Sequence, residues 1–358
     1  MSEHTLRVGM IGCGNIAGPY VKTMANYPDE IELLGVADMD APRAESFAGE
    51  HGVRAYPTPD ALLADDDVQM VVNLTTHHAH RDVTTQILEA GKHVHSEKPL
   101  ALSHADAEGL VALAKKVDRR LGCSPCTLMG EAQQTAWKLI RDGKLGPVRV
   151  IYAECNWGRI ESWHPAPGSF YQVGALWDVG VYPLSIATGI FGPARRVLAY
   201  GRTLYPNRVT MDGTPFTIEA PDWTTATIEL EDGPVVRLTA NFYVGHSSMQ
   251  KGMEFHGDDG SLHIASWQDY WAPVQFSEFG KPYQEVELVR PPFKGIEWGR
   301  AVWDMSDALE HDRPHRATGE QAAHVVEILE AISTSMKTGA PVEVHSSFKQ
   351  PAPMEWAL

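Results

Sequence analysis

The chain has 358 residues, which is enough for two domains of ordinary size. Its formal net charge of −16 argues against nucleic acid and an anionic membrane as partners, since each requires a local basic patch. Hydrophobic residues make up 43% of the chain, as in globular proteins, and no run approaches the roughly 18 consecutive apolar residues of a membrane span. The first seven residues contain no basic segment followed by an apolar one, so we expect a cytoplasmic protein.

Strand and helix patterns alternate over residues 1–122. The predicted strands are Leu6–Ile11, Ile31–Ala37, Val53–Tyr56, Val68–Leu74, His93–His95 and Arg120–Cys123. The predicted helices are Asn15–Ala25, Ala41–Glu50, Asp60–Ala64, His78–Ala90 and Ser103–Val117. Ser103 and Asp106 form a capping box that marks the start of the last helix. This alternation, with a continuous apolar run in the fourth strand, predicts a doubly wound parallel sheet.

The pattern changes after residue 122. The predicted strands there are Val148–Trp157, Arg196–Arg202, Trp223–Leu230, Val235–Phe242, Gln250–His256 and Ser261–Ile264. The predicted helices are Gly130–Arg141, Val173–Ile190, Trp298–Glu310 and Glu320–Thr338. Consecutive strands without intervening helices predict an antiparallel meander. We therefore expect two α/β domains, residues 1–122 and residues 123–358, with a mostly antiparallel sheet in the second.

The first strand runs into Gly12–Ala17, a G-x-G-x-x-A turn. In a dinucleotide-binding βαβ unit, Gly12 allows the tight turn and Gly14 lets the backbone approach a pyrophosphate. Ala17 lets the helix pack close to the strand, and the helix N-terminus offers N–H groups to the phosphates. The turn therefore predicts a dinucleotide cofactor.

The acidic residue that this motif requires is Asp38, at the end of the second strand. Its carboxylate would accept hydrogen bonds from the ribose hydroxyls and would repel a 2′-phosphate. We therefore expect NAD rather than NADP, although Arg43 lies close enough in sequence to leave NADP as an alternative.

Two threonines, Thr75 and Thr76, follow the fourth strand, where the carboxyl edge of such a sheet binds ligands. We expect them to contact the cofactor, with hydrogen bonding at the strand end as the alternative. His77, His78 and His80 share no single helical face and have no carboxylate partner, so we expect no metal. His80 is expected to start the helix or to contact the cofactor.

The four cysteines are Cys13, Cys123, Cys126 and Cys155. Cys123 and Cys126 form a C-x-x-C, which is compatible with a redox dithiol or with half of a zinc site. Because no second C-x-x-C or suitable histidine pair accompanies it, we interpret these cysteines as small residues near a cleft, kept reduced in a cytoplasm.

The chain resembles the Gfo/Idh/MocA oxidoreductase family, named for glucose–fructose oxidoreductase and inositol dehydrogenase, over nearly its whole length. The most specific motifs are Glu97-Lys98-Pro99 and the D-x-G-x-H/Y pattern within Trp177–Leu184. Glu161–Pro165, Phe170-Tyr171 and Arg313–Glu320 are also similar. The resemblance implies a Rossmann domain and an α/β domain with one large, mostly antiparallel open sheet. The exposed face of that sheet commonly makes dimers or tetramers in the family, so we expect a homodimer or a homotetramer.

The resemblance also implies a set of site residues. The expected cofactor-binding residues are Gly12, Gly14, Asn15, Ile16, Asp38, Thr75, Thr76, His80, Glu97 and Lys98. The expected catalytic residues are Lys98, Asp178 and Tyr182, and the expected substrate-binding residues are Trp163, His164, Tyr171 and Asp178. Weaker candidates are Asn156, Trp157 and His246. The Lys98–Pro99 bond is often cis in the family.

The sequence departs from the pattern of some family members at three positions. Tyr182 stands where inositol dehydrogenase-like members have histidine, as in the glucose–fructose oxidoreductase and dihydrodiol dehydrogenase branches, and His77 stands where proline is frequent. Asp38 differs from the serine or arginine that ends the second strand in NADP-preferring members. A phenol has an ordinary pKa of about 10, so a base at neutral pH needs a nearby positive charge to lower it. We expect the Lys98 ammonium to supply that charge, Tyr182 to carry the proton and Asp178 to hold the substrate hydroxyls.

These expectations predict an NAD(H)-dependent oxidoreductase that acts on a secondary hydroxyl of a sugar, glycoside or cyclitol. A first alternative is an enzyme that retains NAD and uses transient oxidation to cleave a glycosidic bond or to act as a lyase. A second alternative is a non-catalytic dinucleotide-binding regulator. The expected partner is a small carbohydrate or polyol.

Overall fold

A computed structural model describes residues 5–245 and 247–358, so the candidate His246 lies outside the described residues. The chain forms two compact units. The first comprises the chain up to Met129 and the later segment Ile296–Val326, and the second comprises Gly130–Gly295 and Glu327–Leu358. The first unit thus runs past the predicted boundary at residue 122 and also includes a segment that the sequence assigned to the second domain.

The helices and strands are numbered in chain order. The α-helices of the described residues are α1 (Ala17–Met24), α2 (Ala41–His51), α3 (Pro59–Leu63), α4 (His80–Glu89), α5 (His104–Lys116), α6 (Glu131–Arg141), α7 (Gly168–Val179), α8 (Val181–Phe191), α9 (Gly299–Glu310) and α10 (Gly319–Thr338). The strands are β1 (Leu6–Ile11), β2 (Ile31–Ala37), β3 (Arg54–Ala55), β4 (Met70–Asn73), β5 (His93–Ser96), β6 (Leu121–Cys123), β7 (Val148–Asn156), β8 (Ala194–Arg202), β9 (Asn207–Val209), β10 (Pro215–Thr217), β11 (Trp223–Leu230), β12 (Val235–Asn241), β13 (Gly252–Gly257), β14 (Gly260–Ile264), β15 (Val274–Glu278), β16 (Gln284–Val286) and β17 (Val342–Glu343).

The first unit contains a six-stranded parallel sheet in the order β3-β2-β1-β4-β5-β6. The predicted doubly wound parallel sheet is confirmed. The strand order reverses between β1 and β4, because β2 and β3 lie on one side of β1 and β4 to β6 lie on the other. In such sheets, a ligand crevice is expected outside the carboxyl ends of the strands at this reversal. β4 is shorter than the predicted Val68–Leu74.

The segment that returns to the first unit covers helix α1 with helix α9. The Gly299 backbone N–H donates to Thr23 Oγ1 at 2.9 Å, and the rings of Tyr20 and Trp298 stack with centroids 5.7 Å apart. This contact is specific to the tertiary fold, which is why a scan for local patterns does not assign Ile296–Val326 to the first unit.

The second unit contains a nine-stranded sheet in the order β16-β15-β14-β13-β7-β12-β11-β8-β17. It is antiparallel except for the central pair of β7 and β12, so the mostly antiparallel prediction is confirmed while a pure meander is wrong. Along β11 and β12, alternate residues are buried, as expected when one face of a sheet is covered. The sequence analysis missed β9, β10, β15, β16 and β17, which have only two to five residues each.

The predicted helix Val173–Ile190 is two helices, α7 and α8. Gly174 interrupts α7 with φ +79° and ψ 164°, a conformation that residues with a side chain rarely adopt. Together, α7 and α8 form one stretch, Gly168–Phe191, that is long and apolar enough to cross a membrane by length and composition alone. Because 89% of its apolar window is buried inside the protein, it matches a core helix pair.

The contact between α1 and α9 predicts that Gly299→Ala destabilises the protein. A Cβ at residue 299 would lie within 3.0 Å of the backbone of Thr23 and Met24, so α9 would have to shift. We expect a loss of about 1–3 kcal/mol of unfolding free energy, measured by urea denaturation.

The matched control is Gly109→Ala on the exposed side of α5, where a Cβ meets no heavy atom within 4 Å among the described residues. That change is expected to stabilise the protein by about 0.5–1 kcal/mol, because glycine is a poor helix former. A Gly299→Ala protein as stable as the wild type would contradict the close packing of α1 against α9.

Candidate functional site

The turn after β1 is constrained by the strand beside it. Gly12 has φ +103°, and a Cβ there would lie 2.6 Å from the Leu74 carbonyl oxygen, just after β4. The Gly12 N–H donates to the Ala37 carbonyl at 2.8 Å, at the end of β2. Only glycine fits, because the ends of β1, β2 and β4 meet at this residue.

The second glycine of the turn is different. A Cβ on Gly14 would meet no heavy atom within 4 Å among the described residues, so open space adjoins its backbone. The Ala17 N–H donates to the Gly14 carbonyl at 3.0 Å, and α1 begins at Ala17 rather than at the predicted Asn15. Because the N-cap residue Ile16 has no polar side chain, α1 presents its positive end without a side-chain cap. This open turn fits a dinucleotide pyrophosphate.

Asp38 is held against the glycine turn. Its Oδ2 accepts a hydrogen bond from the Cys13 N–H at 2.8 Å, and its Oδ1 accepts one from the Asp40 N–H at 2.9 Å. The Arg43 guanidinium lies 3.9 Å from Oδ1. Burial, with the Asp38 charge second, raises the pKa of the Cys13 thiol to about 11. The carboxylate is therefore fixed at the place where the motif requires a ribose acceptor, and Cys13 stays a thiol.

Asn73, at the end of β4, organises the loop that carries Thr75. Its Oδ1 accepts hydrogen bonds from the Thr75 N–H at 3.2 Å and the Thr75 hydroxyl at 2.7 Å. Its Nδ2 donates to the His80 carbonyl at 3.1 Å and to Thr84 Oγ1 at 3.0 Å. Thr75 is half-buried and Thr76 is exposed. The Thr75 hydroxyl thus makes a strand-end hydrogen bond, the alternative that the sequence left open, and its cofactor contact stays a prediction.

His80 lies beneath this loop and is almost fully buried. Its Nδ1 faces the Pro99 carbonyl at 2.7 Å and its Nε2 faces the Thr75 carbonyl at 3.0 Å. Burial lowers the pKa of the imidazole, although both carbonyls oppose that shift. The ring therefore bridges the Thr75 loop to the segment after Lys98, which is an indirect role toward a cofactor.

Glu97 is buried and takes part in a chain of hydrogen bonds below Lys98. The Tyr20 hydroxyl donates to Glu97 Oε1 at 2.8 Å, and the Lys98 backbone N–H donates to Oε2 at 3.2 Å. Ser124 Oγ lies 2.9 Å from the Tyr20 hydroxyl and 3.1 Å from His95 Nε2. Burial raises the pKa of Tyr20 well above its ordinary value and lowers that of His95 to about 3, so both groups are neutral at pH 7.

Lys98 itself is half-buried, and its bond to Pro99 is cis, as the family resemblance implies. The nearby C-x-x-C is buried, and all four cysteines are thiols rather than disulfides. Burial raises the pKa of Cys123 well above its ordinary value, which disfavours a reactive thiolate. Among residues 5–245 and 247–358, no group of three or more His, Cys, Asp or Glu side chains is placed to hold a metal ion.

In the second unit, Asp178 and Tyr182 lie four residues apart across the junction of α7 and α8. Gly180 joins the two helices with helical backbone angles, so the two side chains share one face. A Cβ on Gly180 would lie 2.5 Å from the Leu176 carbonyl oxygen, which explains the glycine of the D-x-G-x-Y motif. Both Asp178 and Tyr182 are about 5% exposed.

Tyr182 belongs to a set of neighbouring rings that we call the aromatic array. Its members are Tyr182, Trp267, Trp157, Trp163, His164 and Phe170. Ring centroids are 5.0 Å apart between Tyr182 and Trp267, and 5.6 Å apart between Trp267 and Trp157. Trp163 continues from Trp157 at 6.4 Å and packs with His164 and Phe170. The array thus brings together three candidates from the sequence, Tyr182, Trp163 and His164, with the weaker candidate Trp157.

Tyr171 lies outside the array, in a buried ionic cluster. Arg208 donates to Glu161 Oε1 at 2.8 Å, to Asp222 Oδ2 at 2.6 Å and to the Tyr171 hydroxyl at 2.6 Å. The Tyr171 hydroxyl also donates to Glu161. Burial, followed by this hydrogen bond, raises the pKa of Tyr171 above its ordinary range. These contacts give Tyr171 a packing role, and its expected contact with substrate stays a prediction.

The sequence analysis missed three residues of this arrangement. Asn73 and Tyr20 lie inside predicted elements, and no local pattern marks them as hydrogen-bonding partners of Thr75 and Glu97. Trp267 lies far from Tyr182 in the chain, so only the tertiary fold brings their rings together. The sequence feature that could have marked Trp267 as a site candidate is its position just after a predicted strand, Ser261–Ile264.

Two family models match the chain. Residues 6–124 match the oxidoreductase family, NAD-binding Rossmann fold, and residues 133–263 match the GFO/IDH/MocA C-terminal domain. Together these matches span most of the sequence and cover both units.

Individual relatives are similar over different lengths. A trans-1,2-dihydrobenzene-1,2-diol dehydrogenase of Oryctolagus cuniculus is 31% identical over 329 residues, which is 90% of this chain and 93% of the relative. A dTDP-3,4-didehydro-2,6-dideoxy-alpha-D-glucose 3-reductase of Streptomyces antibioticus is 32% identical over 199 residues, 54% of this chain. The chain matches only 59% of the length of that reductase.

Solved structures share the fold over nearly the whole chain. A levoglucosan dehydrogenase in complex with NADH and levoglucosan superposes with a TM-score of 0.83, covering 95% of this chain and 99% of that one at 20% identity. At 20% identity, this structural similarity shows only a shared fold, so the family membership rests on the matches to the two family models. The chain belongs to the Gfo/Idh/MocA family of NAD-binding oxidoreductases.

Proposed function

We propose that this protein is an NAD(H)-dependent dehydrogenase acting on a secondary hydroxyl of a sugar, glycoside or cyclitol. The observation that carries the proposal is the buried pair of Asp178 and Tyr182 on one helical face, with the aromatic array beside it. A carboxylate and a phenol bind and deprotonate hydroxyl groups, and aromatic rings pack against the apolar face of a sugar ring. The relatives named for sugars and diols support this substrate class.

In this proposal, Asp178 and Tyr182 of the second unit act on the substrate. NAD, when bound, supplies the acceptor for the hydride that leaves the carbinol carbon. Tyr182 takes the hydroxyl proton. Lys98 stays a proposed catalytic residue because it belongs to the Glu97-Lys98-Pro99 motif. Asp178 accepts hydrogen bonds from neighbouring hydroxyls and fixes the ring for hydride transfer.

The cofactor is held by the first unit. We propose that the α1 N-terminus and the Gly12–Ala17 turn bind the pyrophosphate, with Asn15, Ile16 and Thr76 lining it. Asp38 accepts the ribose hydroxyls, while Thr75, Glu97 and Lys98 lie toward the nicotinamide end. The fixed carboxylate of Asp38 favours NAD over NADP, because a 2′-phosphate would meet its negative charge. Four buried thiols suit a reducing cytoplasm.

We also propose that the open face of the large sheet pairs two copies of the chain. On β8, Leu198 and Tyr200 are largely exposed, and Val235 of β12 is also exposed. On the same face of β12, Arg237 stacks over the Tyr152 ring of the neighbouring strand β7 at 3.9 Å and pairs with Glu154 at 2.7 Å. A sheet face that mixes aromatic, aliphatic and paired ionic side chains suits a self-complementary interface.

The proposed role of Tyr182 predicts that Tyr182→Phe lowers kcat about 100-fold or more, because the variant removes the group that carries the proton. The measurement is NADH formation at 340 nm over a panel of hexoses, inositols, uronates and aryl glycosides, across pH.

Tyr283→Phe, which removes a hydroxyl from a tyrosine that is 41% exposed and outside the array, is the matched control and is expected to keep full activity. If Tyr182→Phe stays within a few-fold of the wild type at every pH, Lys98 becomes the candidate for the proton carrier. Product without net NADH would instead support the NAD-retaining enzyme.

The cofactor preference is tested by Asp38→Ser. Loss of the carboxylate beside Arg43 is expected to raise the ratio of kcat/KM for NADP to that for NAD by about tenfold or more, equivalent to about 1.4 kcal/mol. The ratio is measured by initial rates with each cofactor.

Asp40→Ser is the matched control, since Asp40 also pairs with Arg43 and serine preserves the N-cap of α2. It is expected to leave the NADP to NAD ratio nearly unchanged. Equal effects of the two substitutions would show that general charge, rather than Asp38, sets the preference.

The proposed interface predicts that the double variant Leu198→Asp and Tyr200→Asp is monomeric, because it buries two carboxylates against the partner copy. Light scattering after size exclusion is expected to give the wild type two or four times the mass of one chain. Met39→Asp, at an exposed apolar residue of the first unit, is the control and should keep the wild-type mass. A monomeric wild type would refute the interface.

A further inference from the structure

We infer that the aromatic array holds a second, uncharged ring joined to the sugar that is oxidised, so that the substrate is a neutral glycoside. This inference rests on the proposed function, because it places the oxidised ring at Asp178 and Tyr182. The second ring is either another sugar or an aromatic aglycone, since both offer a flat apolar face to an indole.

The array extends beyond what one sugar ring needs. The ring centroids are 5.0 Å apart between Tyr182 and Trp267, and 5.6 Å apart between Trp267 and Trp157. Trp163 follows at 6.4 Å from Trp157. A single pyranose is about as wide as one of these steps and would occupy only the rings nearest Tyr182. Trp157 and Trp163 remain for a further ring.

Exposure increases along the array. Tyr182 and Trp267 are each 5% exposed, Trp157 is half-buried and Trp163 is 45% exposed. The Trp267 indole is fixed, because its Nε1–H donates to the Glu154 carbonyl at 3.1 Å. A rigid inner end with an exposed outer indole is the form expected of a binding surface that is covered when its ligand arrives.

The charges next to Trp163 are already engaged. Arg159 lies over the rings of Tyr205 and Tyr243, at 4.9 and 4.8 Å from their centroids. Glu161 pairs with the buried Arg208 at 2.8 Å. Both charged groups are thus held against other side chains, and the surface beside Trp163 is aromatic, which favours an uncharged second ring over a phosphate or a carboxylate.

His164 is consistent with this neutral surface. Its Nδ1 accepts a hydrogen bond from the Ala166 N–H at 3.0 Å. The His164 ring also packs edge-on against Phe170, with centroids 4.9 Å apart. The outer end of the array therefore offers ring faces and edges.

The test compares glycosides that differ only in the second ring. Isothermal titration of the full chain with NADH present uses the methyl and phenyl β-glycosides of glucose, galactose, mannose and xylose, together with cellobiose and lactose. For at least one of these sugars, the phenyl glycoside or the disaccharide is expected to bind about tenfold or more tightly than the methyl glycoside. The stronger of the two probes identifies the second ring as aryl or sugar. If no two-ring probe binds more tightly than its methyl glycoside, the inference is overturned.

Trp163→Ala links that preference to the array. This exposed residue can be truncated with little risk to folding, and the variant is expected to weaken two-ring probes about three- to tenfold and methyl glycosides less. Trp271→Ala, at a tryptophan that is 51% exposed outside the array, is the matched control and should change neither. Equal loss for one-ring and two-ring probes, or no loss for either, would overturn the inference.

A 4-carboxyphenyl glycoside tests the requirement for an uncharged ring and is expected to bind more weakly than the phenyl glycoside. Tighter binding of the charged probe would overturn the neutral assignment.

A parallel assay at 340 nm separates this inference from the proposed function. If two-ring probes bind more tightly in a way that depends on Trp163 but no NADH forms, the dehydrogenase is refuted and the second-ring site is retained. If NADH forms equally from one-ring and two-ring probes and Trp163→Ala changes the binding of neither, the second-ring site is refuted and the dehydrogenase is retained.

Discussion

The close approach of the Gly12 backbone to the Leu74 carbonyl is the constraint on which the nucleotide site depends. Because the ends of β1, β2 and β4 converge there, the chain must turn without a side chain before it can enter α1. That turn leaves open space beside Gly14 and presents the positive end of the helix to it. The same convergence brings Asp38, from the end of β2, into hydrogen-bonding contact with the turn.

Buried polar groups hold the neighbouring loops in place. Asn73 uses all of its side-chain hydrogen-bonding groups on the segment between Thr75 and Thr84, and His80 connects that segment to Pro99. Glu97 is fixed from below by Tyr20. Buried polar networks of this kind specify one conformation when every partner is present, since an unpaired buried group costs about 1–3 kcal/mol. The backbone that carries Lys98 is therefore set by groups that do not themselves react.

Most helices and strands were predictable from the sequence, because hydrophobic periodicity and helix-capping residues are signals carried by neighbouring residues. Ser103 caps α5 as its spacing from Asp106 indicates, and the parallel sheet follows from the alternation of strands and helices. The parallel pairing of β7 with β12 was not predictable, since strand order depends on contacts between distant segments. The candidate site divides in the same way: Asp178 and Tyr182 could be proposed from their motif, whereas only the tertiary fold brings Trp267 to Tyr182.

The first unit is assembled from two separated stretches of sequence, and this has a consequence for synthesis. When the ribosome has released only the chain up to Met129, the face of α1 that carries Tyr20 and Thr23 has no cover, because Trp298 and Gly299 are made much later. The nucleotide-binding fold can therefore be completed only after most of the second unit has emerged.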